Sequence, residues 1–250
     1  MKKFTAFSDN NVKMYQVSTL QALAMGHTRS VIDVEELLKH GNTGLGTYES
    51  VDGEMIVADG RCYRASDDGS AVPADNDMGV PFASVCNFKG SVEFDVEHIG
   101  CLGELKTLLN NRIEEIFGLN SMHMVRIDGE FEVVDARSEE AYRAIHVSLK
   151  DMLEKTQKSF RFDNIKGTLV CVYYPDFMDG INASGWHIHF ISEDRLKGGH
   201  VFELKLTSGR AMLDKISSVE IRLPTDPVFD TYSLKEASDD DIKKVEQGSK

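Results

Sequence analysis

Residues 184–206, Ser-Gly-Trp-His-Ile-His-Phe-Ile-Ser-Glu-Asp-Arg-Leu-Lys-Gly-Gly-His-Val-Phe-Glu-Leu-Lys-Leu, constrain this chain more than any other stretch. In an extended strand successive side chains alternate faces, so His187 and His189 point one way while Trp186, Ile188 and Phe190 point the other. The polar run 193–199 ends in Gly198-Gly199, and His200 opens a second strand-like run, which together read as a hairpin. A symmetric register centred between Asp194 and Arg195 sets His189 opposite His200, with Cβ atoms about 4.5–5.5 Å apart. A His-x-His pair alone is a weak signal; a third histidine brought back by the hairpin makes a metal site. Three neutral imidazoles occupy three positions of a tetrahedral ion, and no fourth His or Cys lies nearby in the sequence to close the shell. That open position points to catalysis, zinc is the first expectation, and the uncompensated dication suits an oxygen-bearing, preferably anionic, substrate. Phe202, Leu204 and Leu206 share the parity of His200, so either the pocket floor is apolar or a bulge at Gly198-Gly199 shifts the register.

The rest of the chain limits the partners. A net charge of -13 with no offsetting basic run argues against a nucleic-acid or anionic-membrane surface. An anionic substrate would therefore need a local cation. No run near 18 apolar residues occurs, and the start, Met-Lys-Lys-Phe-Thr-Ala-Phe, has no apolar stretch of signal-peptide length, so a cytoplasmic location is expected. Cys62, Cys86, Cys101 and Cys171 lack a repeated short spacing and read as reduced core thiols. The 250 residues suffice for one domain with a sizeable core. A soft lobe boundary is expected near residue 118, and an acidic tail from about 225.

Taken in order, the pattern predicts a strand over 13–17, a helix capped by Ser18 and ending at Gly26, and a helix over 33–40 stopped by Gly41. Strands divided by Asp52-Gly53 and Asp59-Gly60 make a meander from 44 to 64, followed by strands over 80–88 and 91–96. Leucines and isoleucines at helical spacing predict a helix over 102–117. Strands over 122–127 and 130–134 flank Asp128-Gly129, and a helix is expected over 138–157. The continuous apolar run 167–174 reads as a strand buried on both faces. A short helix over 209–216 and a strand over 219–223 complete the reading. By local pattern alone, Glu54 is a solvated hairpin residue, Arg137 a surface charge and Glu246 a solvated tail residue.

Several ordered motifs change those assignments. Tyr-Gln-Val-Ser-Thr-Leu at 15–20, His-Gly-Asn-Thr-Gly-Leu-Gly-Thr at 40–47, Asp-Gly-Glu-Met-Ile at 52–56, Val-Pro-Phe-Ala at 80–83, Gly-Thr-Leu-Val at 167–170 and Tyr-Pro-Asp at 174–176 accompany Gly-Ile-Asn at 180–182 and the histidine hairpin. Together they closely resemble the alpha-acetolactate decarboxylase family, across nearly the whole chain. The resemblance implies an α/β fold of the α+β type, β-rich, with two mixed or antiparallel sheet lobes and flanking helices, that typically forms a homodimer. It implies a metal-dependent, usually zinc, enzyme converting (S)-2-acetolactate to (R)-acetoin and carbon dioxide in the acetoin and butanediol pathway. By motif position the metal ligands fall on His187, His189 and His200, the pocket carboxylates on Glu54 and Glu246, and the pocket arginine on Arg137. In the mechanism this implies, the ion would chelate the ketone and hydroxyl oxygens and stabilise the enediolate, Arg137 would hold the carboxylate or developing oxyanion, and the two glutamates would handle protons.

The chain departs from the family after Arg137-Ser138, where Glu-Glu-Ala-Tyr-Arg-Ala replaces the usual Pro-bearing segment. Cys86 and Cys171 stand where Thr and Gly are more usual. Two other readings compete. His187-x-His189 followed by Glu193 fits the first half of a cupin signature, an oxygenase or isomerase, but a cupin needs its last histidine near a later Asn and His200 precedes Val-Phe-Glu-Leu. A non-catalytic metal-binding module would leave Glu54 and Arg137 as surface charges.

Overall fold

The computed structural model describes residues 12–144 and 146–234. In chain order the elements are β1 (Val12–Val17), α1 (Leu20–Ala24), β2 (Ile32–Asp33), α2 (Val34–His40), β3 (Thr43–Thr47), β4 (Glu54–Ala58), β5 (Arg61–Ala65), β6 (Ala71–Pro73), β7 (Gly79–Val80), β8 (Phe82–Cys86) and β9 (Val92–Ile99). There follow α3 (Leu102–Ile116), β10 (Met122–Glu139), α4 (Leu149–Thr156), β11 (Gln157–Tyr174), β12 (Gly185–Ser192) and β13 (Gly198–Arg222). The β-rich α+β class is as the sequence implies.

Eleven strands form one sheet in the order β10-β11-β12-β13-β1-β8-β3-β4-β5-β6, with β9 on β13. Because β13 also pairs with β10, strands β10 to β13 close into a ring. The pairing of β1 with the end of β13 is parallel and joins Met14 to Val219, so the first and last strands among the described residues share one sheet. Helix α3 buries Leu105, Leu109 and Ile113, spaced four apart on one face, against Ile127, Leu169, Phe190 and Leu204 of the ring. Each such side chain contributes roughly 1.5–3 kcal/mol on burial. A second cluster containing Met14, Leu45, Ile56, Val170 and Ile191 lies between the ring and the β1-to-β6 part of the sheet. A smaller one joins Leu20 and Leu23 of α1 to Leu149 and Met152 of α4, and includes Val51 and Phe82.

Where the structure departs from local pattern, tertiary pairing is the reason. Asp128-Gly129 makes no turn: β10 runs through it, and Gly129 pairs with Gly167 on one side and Gly209 on the other. A Cβ on Gly129 would lie 2.8 Å from the Ser208 carbonyl, so the glycine permits close approach of strands instead of a reversal. The helix expected over 138–157 shrinks to α4, capped by Ser148, because Arg137 to Glu139 stay in the ladder with Gln157 to Ser159. Residues 209–216 are strand, paired to β10 and β9; Ala211 and Leu213 alternate into the core, and burial overrides helix propensity. The first helix takes Thr19 as its cap, one residue beyond Ser18. Glu49–Val51 form a short 3₁₀ turn instead of continuing a strand. Asp59-Gly60, with φ of +54° and +71°, is the tight hairpin turn expected. The four cysteines are free, Cys62, Cys86 and Cys171 being buried. No helix among the described residues is long and apolar enough to cross a membrane.

His123, at the start of β10, is fully buried between the rings of Phe117 and Tyr173. Burial, aided by Lys215, pushes its pKa down to about 4. The unfolded chain takes up this proton near pH 6.5 and the folded one does not, so stability falls as pH drops from about 6.5 to 4, by up to about 3 kcal/mol. Urea denaturation at pH 7 and pH 4.5 should show that loss reduced in His123→Phe; an unchanged pH dependence would refute it.

Candidate metal centre

Ser192 to Lys197 form the turn that sets the histidine register. Ser192 Oγ donates to Asp194 Oδ1 (2.6 Å), which also accepts from Leu196 N (3.0 Å), and Arg195 adopts φ +64°. The Ser192 N–H donates to the Lys197 carbonyl at 2.8 Å. The ladder then pairs His189 with His200, as the symmetric hairpin predicts. On the other side of β13, His200 pairs with Arg137. Three strands therefore place His189, His200 and Arg137 in one cross-strand row, with His187 two residues along β12.

The bulge lies further along than expected. Asp135 pairs with Glu203 and Ala136 with Val201, leaving Phe202 as the extra residue. Parity flips there: His200 faces the site, while Leu204 and Leu206 join Val201 in the core and Phe202 reaches the surface. The pocket floor is thereby freed of those leucines.

All three histidines are buried, and their nitrogens lie within 4.8 Å of one another. His187 Nε2 and His189 Nε2 are 3.0 Å apart. A tetrahedral ion with bonds of about 2.0–2.1 Å sets neighbouring nitrogens roughly 3.3–3.4 Å apart, so this pair is close to ligand spacing. His189 Nδ1 lies 2.8 Å from the Met55 carbonyl; donation there fixes the tautomer and leaves Nε2 with its lone pair towards the centre. Burial, reinforced by Arg137 and Lys106, pushes His187 down to about 3. Burial, with His187 adding to it, holds His189 well below the ordinary range. Both rings are therefore neutral at pH 7, as metal binding requires. The donor set fits a divalent metal ion.

Charged groups converge on the same point. Glu54, first residue of β4, is 14% exposed and lies 3.3 Å from His189 Nε2 and 3.9 Å from His200 Nδ1. Arg137 is 8% exposed, with Nη2 3.4 Å from His200 Nε2. Neither is the solvated charge that local pattern suggests. Ser138 Oγ accepts from Glu54 N (3.1 Å) and donates to the Ala65 carbonyl (2.7 Å). His187, His200, Glu54 and Arg137 line a small pocket whose other lining is largely apolar, from Leu23, Val51, Phe82 and Leu149. Glu246 lies outside the described residues.

The pocket also contains Glu139, buried at 3% exposure, which sequence reasoning assigned to the first turn of a helix. The available signal was the two-residue alternation Asp135, Arg137, Glu139, which continues the strand and keeps Glu139 on the face of Arg137. Leu149, from the shortened α4, was likewise not anticipated.

The chain is similar to known proteins over most of its length. The sequence profile described as alpha-acetolactate decarboxylase matches residues 14–236. The chain is 36% identical to the alpha-acetolactate decarboxylase of Methanosarcina mazei over 234 residues, 94% of this chain and 80% of that one. It is 34% identical to that of Lactococcus lactis subsp. lactis, covering 85% of this chain and 88% of the relative. The crystal structure of alpha-acetolactate decarboxylase from Bacillus subtilis strain 168 superposes with a TM-score of 0.89 at 32% identity, over 95% of this chain and all of that one.

The arrangement predicts retention of one divalent ion per chain through desalting. His189→Ala should weaken that retention about 100-fold or more, beyond the 10–100-fold that outer partners contribute. Metal analysis checks it alongside circular dichroism. A folded variant that keeps its full complement of metal would contradict it.

Proposed function

Taking as premise that the chain belongs to the alpha-acetolactate decarboxylase family, we propose that it is a zinc-dependent carboxy-lyase converting (S)-2-acetolactate to (R)-acetoin and carbon dioxide. The observation that carries the reading is the convergence of three buried histidines, with Glu54 and Arg137 beside them. His187, His189 and His200 would hold the ion. Bound there, a divalent ion supplies fixed positive charge for electrons that build up on substrate oxygen.

The protein's own groups account for the rest. Acetolactate loses carbon dioxide by breaking the bond to its carboxylate; the electron pair spreads towards the neighbouring ketone oxygen, and one proton must return to carbon. Arg137 provides the local cation that a chain of net charge -13 needs for an anionic substrate, and its planar fork orients a carboxylate as a lysine cannot. Glu54, beside two of the histidines, is placed to move a proton between the substrate hydroxyl region and the reacting carbon. Glu246 is the second carboxylate of this scheme. The apolar wall from Leu23, Val51, Phe82 and Leu149 suits the two methyl groups and keeps bulk water from the charges. The family match over residues 14–236 favours this reading over a cupin-like oxygenase or a non-catalytic module.

Carbon dioxide and acetoin should form together from racemic acetolactate, stop near half conversion, and cease on adding a chelator. Glu54→Gln should lower kcat by about 10²–10⁴-fold. Arg137→Lys should lower kcat/KM by about tenfold or more while leaving metal content unchanged. Release indifferent to chelation with the ion removed would overturn the proposal.

A further inference from the structure

Ser138 follows Arg137 in β10, and its hydroxyl joins two backbone atoms at the edge of the site. Its side chain is fully buried. It accepts from Glu54 N at 3.1 Å and donates to the Ala65 carbonyl at 2.7 Å. Glu54 and Ala65 are cross-strand partners at the end of the β4–β5 ladder. The hydroxyl thus ties the last pair of that ladder to the end of β10, beside Arg137.

The chain just before Glu54 is strained. Ser50 and Val51 adopt φ of +65° and +57°, a region costly for a β-branched residue. Contacts from outside hold this turn: Ser50 N donates to the Thr28 carbonyl (2.9 Å) and Tyr142 N to the Ser50 carbonyl (2.8 Å). Thr47 Oγ1 donates to the Gly53 carbonyl at 2.9 Å. Residues 138–142 therefore grip the turn at both ends, Tyr142 at Ser50 and Ser138 at Glu54. The stretch directly after Ser138 supplies the Tyr142 contact.

We propose that Ser138 is a positioning residue that acts on the reaction through Glu54, its hydroxyl fixing the backbone from which the Glu54 carboxylate reaches His189 and His200. The inference rests on the functional reading above. Removing the hydroxyl takes a partner from two backbone groups and lets the strained turn relax, carrying the carboxylate off its line. A misplacement of about 1 Å at a reacting group costs about 10²-fold in rate. The histidines belong to β12 and β13, and Met55, whose carbonyl holds His189, keeps its own ladder partners Gly46 and Arg64, so ion binding is retained.

A double-mutant cycle on the metal-loaded, full-length protein tests this, with acetolactate as substrate. Ser138→Ala should lower kcat about 10–100-fold with KM changed less than about twofold and metal content unchanged. In the Glu54→Gln background the same substitution should cost nothing further, within about twofold. Ser138→Cys, close in volume and a weak hydrogen-bonding group, should repeat the pattern and serves if the alanine variant does not fold. Equal losses in both backgrounds, or loss of metal, would show a merely structural role and overturn the inference. Wild-type protein without decarboxylase activity would remove the functional reading, and this inference with it; that result is distinct from additivity, which removes Ser138 alone.

Discussion

Backbone pairing along a single cross-strand row holds the site together. Val170 on β11 pairs with His189 on β12, His189 with His200 on β13, His200 with Arg137 on β10, and Arg137 with Ser159 back on β11. A slip of one residue in any of these ladders would turn a ligand or the arginine to the opposite face. The ring of strands resists such a slip, since each ladder in it is fixed by two neighbours. Gly199 permits the convergence: a Cβ there would lie 2.9 Å from the Arg137 carbonyl. The bulge at Phe202 then returns β13 to the core without disturbing His200.

Burial does two opposed things here. It strips water from His187 and His189, which favours their neutral forms and leaves lone pairs available for a cation. It also surrounds Arg137 and Glu54 with little solvent, where their charges act at short range with little screening. A dication and an anionic substrate together suit such a pocket better than either alone. The site is thus an electrostatic frame built from ladder register, with α1 and α4 closing the apolar side.

Much of this was legible. The His189–His200 pairing followed from a symmetric turn, α2 and α3 from caps and helical spacing, and the Asp59-Gly60 hairpin from its dipeptide. What local pattern missed depends on distant partners. Asp128-Gly129 has the signature of a turn, and only the glycines of two neighbouring strands reveal it as a crossing point. Residues 209–216 have acceptable helix propensity, and only pairing with β9 and β10 makes them strand. Glu54 and Arg137 look solvated in their own segments; resemblance to a family, not spacing, marked them for the pocket. Ser138 carries no sequence signal at all, because its partners lie more than 70 residues away.

The central claim is that strand register turns three distant imidazoles into one metal shell. X-ray absorption at the zinc edge, on protein loaded with one equivalent of zinc, tests it most directly. The account predicts three imidazole nitrogens at about 2.0–2.1 Å, falling to two in His189→Ala. A sulfur ligand at about 2.3 Å, or a shell unchanged by that substitution, would contradict it.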